Sequence, residues 1–412
     1  MISSIRWPAF AALVLFVIGA SAQEPTWIGS WGASPQPPTP GGGPFPATPS
    51  FENRTIRQIV RLSAGGSQLR LRLTNEYGTA PLVVGAARVA LADEEGHPIE
   101  DTERVVTFAG EVSVKIPAGA PWISDPIDLP VDDLALLSVS LYFPEHTGPC
   151  TCHATGMQAA FVSAPGDHTA GVFEPEQTIQ SRAFLSGVDV LTVADSVIVT
   201  LGDSITDGVG STPGANRRWP DVLAERLAVR GRFGVVNHGI SGNRVLGDGA
   251  GVSALARFDR DVLSVPGATH VIVFEGVNDL GLAFGVFGAP GRGGFALPPG
   301  VDVNVDSMIA AYRQLIARGR AAGLAVIGAT IAPYEGAAYY SEQGEAVRQA
   351  VNRWIRESGE FDAVLDFDAV LRDPERPSRI RDGFHSGDFL HGSDAGYRAI
   401  AESIDLALFV KD

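Results

Sequence analysis

The chain has 412 residues, of which 45% are hydrophobic and 19% charged, a composition typical of a globular protein with two or three domains. Acidic residues outnumber basic ones by 47 to 31, and the net charge of −16 argues against a nucleic acid or an anionic membrane as partner. No lysine lies between Lys115 and Lys411, which excludes a P-loop lysine, a Schiff-base lysine and a Ser-Lys dyad from that stretch.

The first 22 residues have the pattern of a secretory signal peptide. A short segment with one positive charge, Arg6, precedes an apolar run over 9–19 and the small residues 20–22. We therefore expect a secreted or periplasmic protein without a stable membrane anchor; an uncleaved anchor is the alternative. The rest of the chain has no apolar stretch of 18 residues.

Residues 23–190 are predicted to form an all-β domain. After an irregular Pro- and Gly-rich segment at 35–49, apolar and polar residues alternate from Arg57 onward, as in half-buried strands. Further strands are predicted at 82–91, 105–108, 112–116, 134–143 and 158–162, separated by turn residues. Because helical periodicity is almost absent here, we expect an antiparallel, jelly-roll-like β-sandwich.

The two cysteines, Cys150 and Cys152, lie in Cys-Thr-Cys-His within this region. A bridge across one residue would be strained, and we therefore predict two small buried or reduced side chains. Together with His153 they would make three soft metal ligands, but no second ligand pair follows at zinc-site spacing, and we expect no metal.

Residues 191–412 alternate between short apolar strands and amphipathic helices. Strands are predicted at 197–201, 235–237, 270–274, 324–331 and 363–367, and helices at 219–230, 254–265, 305–322, 342–356 and 394–408. This alternation predicts a three-layer α/β/α domain around a parallel sheet. Functional residues of such sheets lie beyond the carboxyl ends of the strands.

Chemistry-bearing residues follow the predicted strands. The segments are Gly202-Asp203-Ser204-Ile205 after the first strand, Gly239-Ile240-Ser241-Gly242-Asn243 after the second, Gly276-Val277-Asn278-Asp279 after the third, and Asp388-Phe389-Leu390-His391 near the C-terminus. Acyl transfer needs this set: a nucleophile, a base with an orienting acid, and donors for an oxyanion. A helix-capping serine and an Asx turn are the structural alternatives for Ser204 and Asn278.

The four segments resemble the SGNH branch of the GDSL-type esterases and acylhydrolases over roughly 195–412. The resemblance places the family's Ser, Gly, Asn and His on Ser204, Gly242, Asn278 and His391, and implies a flavodoxin-like catalytic domain without metal or organic cofactor. Residues 27–31 and 75–78 are also similar to a secreted sub-branch with an N-terminal β domain, which includes acetylxylan esterase/arylesterase-like enzymes of the rumen.

The resemblance implies a catalytic triad and an oxyanion hole. Ser204 is the expected nucleophile, His391 the base and Asp388 its orienting acid. The Ser204 and Gly242 N–H groups and the Asn278 amide are the expected oxyanion donors, with Gly239 as a competitor of Gly242.

A second Asp-x-x-His pair, Asp382 and His385, has the same spacing as Asp388 and His391. The later pair is favoured because it directly precedes the final helix, and His385 is expected either in the pocket wall or in the packing behind the site.

Other residues are predicted to line the substrate pocket. Arg244 is a candidate contact for an acidic sugar, with loop salt bridges as the alternative. The Gly-rich stretch 281–300, with Phe284 and Phe287, is either a pocket loop or an insertion.

Together these features predict a secreted serine esterase that hydrolyses short-chain, chiefly acetyl, esters of small molecules or glycans. Two alternatives stay open: a lipase or lysophospholipase acting on longer chains, and a glycan-binding protein with an inert α/β half. The oligomeric state and the role of the β domain are not evident from the sequence.

Overall fold

The computed structural model describes residues 24–41, 47–285 and 297–410. The expected signal peptide, residues 1–22, lies outside these ranges. Within them, no helix is long and apolar enough to cross a membrane.

The first half is an antiparallel β structure built on two main sheets. One has four strands in the order β1-β14-β3-β8 and the other six in the order β12-β11-β2-β9-β5-β6; β4 pairs with β7, and β10 with β13. The strands are β1 Thr26–Gly32, β2 Arg54–Arg61, β3 Gln68–Thr74, β4 Leu82–Val84, β5 Ala86–Leu91, β6 Arg104–Val105, β7 Val114–Ile116, β8 Pro121–Ile123, β9 Leu136–Phe143, β10 Cys152–His153, β11 Ala160–Pro165, β12 Gln177–Ile179, β13 Arg182–Ala183 and β14 Leu185–Thr192. Apolar side chains of both large sheets share one core, as expected for a β-sandwich.

The predicted half-burial of β2 is wrong, whereas that of β3 is correct. Along β3 the leucines are buried and the residues between them are partly exposed, but six consecutive residues of β2 are buried. The second face of β2 is covered because Arg57 donates to the backbone carbonyl of Thr169 and stacks on the ring of Phe173. A covering loop of this kind leaves no trace in the local alternation of β2.

The prediction of two unlinked cysteines is also wrong, because Cys150 and Cys152 form a disulfide. Their Cα atoms lie 5.3 Å apart, which is within the ordinary range for a bridge. The expected burial of both side chains is observed.

The second half contains a five-stranded parallel sheet, which confirms the predicted fold class. Its strands are β15 Ser196–Gly202, β16 Phe233–Gly239, β17 His270–Phe274, β18 Ala325–Ala329 and β19 Ala363–Leu365, in the order β16-β15-β17-β18-β19. This is the flavodoxin-like order, in which the chain reverses direction beside the first strand and opens a crevice there. The antiparallel strands end at Thr192, and the domain boundary at 190/191 stays a prediction.

The helices form two groups around the sheet. They are α1 Ser204–Asp207, α2 Trp219–Ala228, α3 Ala254–Phe258, α4 Val277–Phe284, α5 Val305–Ala321, α6 Glu342–Glu357, α7 Phe367–Leu371 and α8 Asp394–Ser403, and α3 continues as a π-helical turn over Asp259–Leu263. The helices α2, α7 and α8 pack together, as do α3, α4, α5 and α6. The short helices α4 and α7 had not been predicted.

The two halves meet along β1 and β16. The Gly29 N–H donates to the Pro266 carbonyl at 2.9 Å, and the Ser63 hydroxyl accepts from the Val235 N–H at 2.8 Å. Both segments that resemble the sub-branch lie at this junction: residues 27–31 belong to β1, and the hydroxyl of Tyr77 accepts from Arg260. The apolar core is continuous across the two halves.

Candidate active site

The carboxyl ends of three neighbouring strands lie side by side. Gly202 at the end of β15 is in register with Gly239 of β16 and Phe274 of β17. A Cβ atom on Gly202 would lie 2.4 Å from the Phe274 carbonyl oxygen, so only glycine allows this close approach. The loops after these strands therefore begin at one point, as the sequence predicts.

Ser204 is the first residue of α1. Asp203 precedes it as the N-cap, and its carboxylate accepts from the Ile205 N–H at 2.9 Å. Capping is therefore done by Asp203, and the Ser204 side chain is left to make another contact.

That contact is with His391. The Ser204 hydroxyl lies 2.8 Å from His391 Nε2, and His391 Nδ1 lies 2.6 Å from Asp388 Oδ2. The other oxygen of Asp388 accepts from the His391 N–H at 2.9 Å and from the Leu390 N–H at 3.0 Å. Partial burial opposes ionisation of Asp388, but the His391 contacts outweigh it and hold the pKa of Asp388 well below its usual value.

The competing pair does not approach Ser204. Asp382 is 89% exposed, and its carboxylate lies 3.8 Å from His385 Nε2. His385 Nδ1 accepts from the Gly387 N–H, and its ring packs against that of Phe389 in a tilted arrangement with centroids 4.1 Å apart. The place of His385 in the pocket wall stays a prediction.

Two backbone N–H groups are available at the expected oxyanion position. Among the described residues, neither the Ser204 nor the Gly242 N–H has an acceptor, whereas the Gly239 N–H donates to Asn237 Oδ1 at 2.9 Å. Gly242 has φ = 81°, a left-handed conformation that glycine adopts without strain. These contacts favour Gly242 over Gly239 as the donor.

Asn278 supplies a side-chain amide from the first turn of α4. Its Nδ2 donates one hydrogen to the Asn243 carbonyl at 2.9 Å, which leaves a second hydrogen. Its Oδ1 accepts from the Tyr339 hydroxyl at 3.1 Å. Tyr339 thus fixes the amide orientation, and no sequence signal pointed to it because it lies 61 positions further along the chain.

A second residue that the sequence analysis missed is Arg257, a fully buried arginine. Its guanidinium donates to the carbonyls of Gly202 and His238 at 2.9 and 2.6 Å, and to Asn243 Oδ1 at 2.9 Å. It also pairs with Asp261 at 3.0 Å. A signal existed, because Arg257 lies at helical spacing from the buried Ala254 and Asp261.

Three buried carboxyl groups lie in the segments that follow β15 and β17. Burial raises the pKa of Asp203 to about 7 and that of Asp279 to about 6, and it raises the pKa of Glu275 well above its usual value. The two oxygens of Asp279 accept from the N–H groups of Val245 and Leu246 at 2.8 and 3.0 Å. Asp279 therefore fixes the loop that follows Gly242.

The predicted pocket residues have different surroundings. Arg244 is buried, and its guanidinium donates to the Asp248 carbonyl at 2.6 Å. Phe284 is partly buried at the end of α4, where it packs against the core. Phe287 lies outside the described residues. Their roles in substrate binding stay predictions.

The arrangement unites a hydroxyl, an imidazole, a carboxylate and three donor groups. Such a set can deprotonate a serine and stabilise an oxyanion, the two requirements of ester hydrolysis through an acyl-enzyme. The part of the chain that the structure describes holds no group of three His, Cys, Asp or Glu residues able to bind a metal ion.

Comparison with known proteins gives one family match in sequence. Residues 200–399 match the model of the GDSL-like lipase/acylhydrolase family, a range that contains Ser204, Gly242, Asn278 and His391. No curated protein matches the chain significantly.

Solved structures similar to this chain cover about half of it. A lipolytic protein of the G-D-S-L family from Desulfitobacterium hafniense is 23% identical over 50% of this chain and 97% of its own, with a TM-score of 0.37. A variant of an acetyl xylan esterase from Geobacillus stearothermophilus is 20% identical over 51% and 93%, with a TM-score of 0.39. An acylhydrolase from Bacteroides fragilis is 15% identical over 52% and 86%, with a TM-score of 0.38.

The family match covers most of the second half of the chain. It matches from the end of β15 into α8 and includes all four chemistry-bearing segments. Residues 200–399 form a domain of the GDSL-like lipase/acylhydrolase family, and the chain is a hydrolase of ester bonds.

Proposed function

We propose that this protein is a secreted serine esterase that removes short acyl groups, chiefly acetyl, from small molecules or glycans. The observation that carries the proposal is the series of hydrogen bonds from Asp388 through His391 to the Ser204 hydroxyl.

Acylation begins with attack of Ser204 Oγ on the ester carbonyl carbon. His391 Nε2 takes the hydroxyl proton, and Asp388 stabilises the resulting imidazolium. The carbonyl oxygen becomes an oxyanion that accepts from the Ser204 N–H, the Gly242 N–H and Asn278 Nδ2. His391 then returns its proton to the leaving alkoxide, and the C–O bond to the alcohol breaks.

Deacylation repeats these steps with water. His391 Nε2 takes a proton from water, whose oxygen attacks the acyl carbon. The second oxyanion collapses, the bond to Ser204 Oγ breaks, and the proton on His391 restores the serine hydroxyl. The products are a carboxylic acid and the free enzyme.

One observation in favour of short acyl groups is where the highly exposed apolar side chains of the described residues lie. A long acyl chain needs an apolar surface, and exposed patches of this kind mark ligand sites. In the described residues, the large apolar side chains with high exposure are Ile99, Val105, Val112, Ile123, Val172, Val193, Val229, Val364 and Val410. None of them belongs to the loops that carry Ser204, Gly242, Asn278 or His391.

Acid release from p-nitrophenyl esters of two to twelve carbons, and from acetylated glycans, tests the proposal. We expect kcat/KM to be highest at two to four carbons, and a maximum above eight carbons would favour the lipase alternative. Ser204→Ala should abolish turnover; full activity of that variant would refute the mechanism.

The matched variants Asp388→Asn and Asp382→Asn test the choice between the two Asp-x-x-His pairs. Loss of the carboxylate that orients a catalytic histidine lowers kcat by a factor on the order of 10⁴ in a related mechanism, and we expect a loss of similar scale for Asp388→Asn. Asp382→Asn should leave kcat within twofold. The reverse result would assign the base to His385.

A further inference from the structure

One buried contact joins the β half to the helix that carries Ser204. His153, in β10, places Nε2 3.0 Å from Oδ1 of Asp207, the last residue of α1. Both side chains are almost fully buried, with exposed fractions of 6% and 2%. The last residue of the turn that begins with Ser204 is therefore in hydrogen-bond contact with a residue of the β half.

The second oxygen of Asp207 reaches the loop of Gly242. Asp207 Oδ2 accepts from both the N–H and the hydroxyl of Ser241, at 2.9 and 2.6 Å. Because Ser241 directly precedes Gly242, the plane of the peptide that carries the Gly242 N–H depends on where Ser241 is held. One carboxylate thus connects His153 to this N–H.

The histidine itself is held on both sides. Its Nδ1 lies 3.1 Å from the Ser34 carbonyl, and its Nε2 also lies 3.1 Å from the Thr155 carbonyl. The Ser34 and Thr155 carbonyls and the Asp207 carboxylate thus contact the ring at both of its nitrogens. The hydrogen bonds fix the ring in orientation, and the ring in turn fixes the Asp207 carboxylate.

We propose that His153 is a positioning residue of the oxyanion hole, acting through Asp207 and Ser241 on the Gly242 N–H. This inference rests on the proposed function and deepens it, since it gives the β half a part in the reaction. The β half then orients one donor of the active site in addition to packing against the α/β half.

The junction offers a matched control. Arg61, at the end of β2, pairs with Glu225 of α2 at 3.0 Å and so also links the halves, but neither residue contacts α1 or the loop of Gly242 through its side chain in the described structure. A role in holding the halves together would be common to both contacts. Of the two contacts, only that of His153 is connected to the oxyanion donor.

The test compares an ester with its thionoester, in which sulfur replaces the carbonyl oxygen and accepts hydrogen bonds weakly. An intact oxyanion hole favours the oxygen ester, and a misaligned one loses part of this preference. Outright removal of a donor costs roughly 10²–10³ in kcat. For His153→Phe we expect a loss of about tenfold in kcat on the oxygen ester, an unchanged KM, and an equal fall in the oxygen-to-sulfur rate ratio.

Controls separate this role from a loss of folded protein. Arg61→Gln should leave kcat and the rate ratio unchanged, and Asn278→Ala should lower the ratio. Ser241→Ala removes one contact to Asp207 without altering His153, and should lower the ratio in the same direction if His153→Phe does not fold.

The outcomes are distinguishable from failure of the proposed function. If Ser204→Ala stays active, the proposed function is wrong. If Ser204→Ala is inactive while His153→Phe and Ser241→Ala keep the wild-type ratio, or lower both rates equally, the inference alone is overturned.

Discussion

Arginine–carboxylate pairs occur in two contrasting regions of the α/β half. Beneath the carboxyl ends of the strands, Arg257 is fully buried and binds Asp261 together with strand-end carbonyls. On the outer surface, Arg313 of α5 pairs with Glu360 at 2.6 Å, but 55% of the arginine side chain is exposed. Breaking a buried pair leaves an uncompensated charge and costs much stability, whereas an exposed pair contributes little. The two regions therefore differ in how much an arginine–carboxylate pair matters to the fold.

The largest effect is expected from removing the buried arginine. Arg257→Met removes one of the two arginines that pair with Asp261 and leaves the Gly202 and His238 carbonyls without their donor, which costs roughly 3–5 kcal/mol of unfolding free energy. Arg313→Gln should cost no more than about 1 kcal/mol. Urea unfolding of both variants measures the difference in unfolding free energy. Equal losses would contradict the larger weight assigned to the buried pair.

A smaller effect is expected from a buried histidine beside that network. Burial lowers the pKa of His238 to about 4, from an unfolded value of about 6.5. Between these pH values the His238 ring binds a proton in the unfolded chain but not in the folded one, so its contribution to the free energy of unfolding rises with pH and is lost as pH falls from 6.5 to 4. The contribution is about 3 kcal/mol, from about 2.5 pKa units.

The pH dependence of unfolding for His238→Gln measures this term. The free energy of unfolding of the variant should rise less between pH 4 and 6.5 than that of the parent protein, by the His238 contribution. His97→Gln is the matched control, because His97 lies 3.4 Å from Asp93 in an exposed turn, and it should retain the pH dependence of the parent protein. A pH dependence of His238→Gln equal to that of the parent protein would contradict the assignment to His238.

The smallest effect is expected at the amide of Asn278. Tyr339→Phe removes one neutral hydrogen bond, to Asn278 Oδ1, and should lower kcat about fivefold, from about 1 kcal/mol. Tyr142→Phe is a suitable control, because its hydroxyl bonds to the exposed Asn53 in the β half. An unchanged kcat for Tyr339→Phe would show that the Asn243 carbonyl alone orients the amide.

Strong local patterns predicted much of the α/β half. The apolar run 270–274 is β17, and the amphipathic stretch predicted at 305–322 is α5, Val305–Ala321. The helix α4 was missed because it begins shortly after a strand, where Asn278 also fits an Asx turn. The assignments to Ser204, His391 and Asp388 stay predictions, although the three side chains lie in hydrogen-bond contact.

The alternation of strands and helices and the order of the four segments could be predicted from the sequence alone, because periodicity and motif spacing are local properties. The tertiary structure was needed to show which Asp-x-x-His pair contacts Ser204. It was also needed to show that β2 is covered on both faces and that Cys150 is bonded to Cys152. It also brought His153 to Asp207, 54 positions away. Such contacts depend on how the two halves pack, and packing brings together residues whose separation along the chain carries no signal.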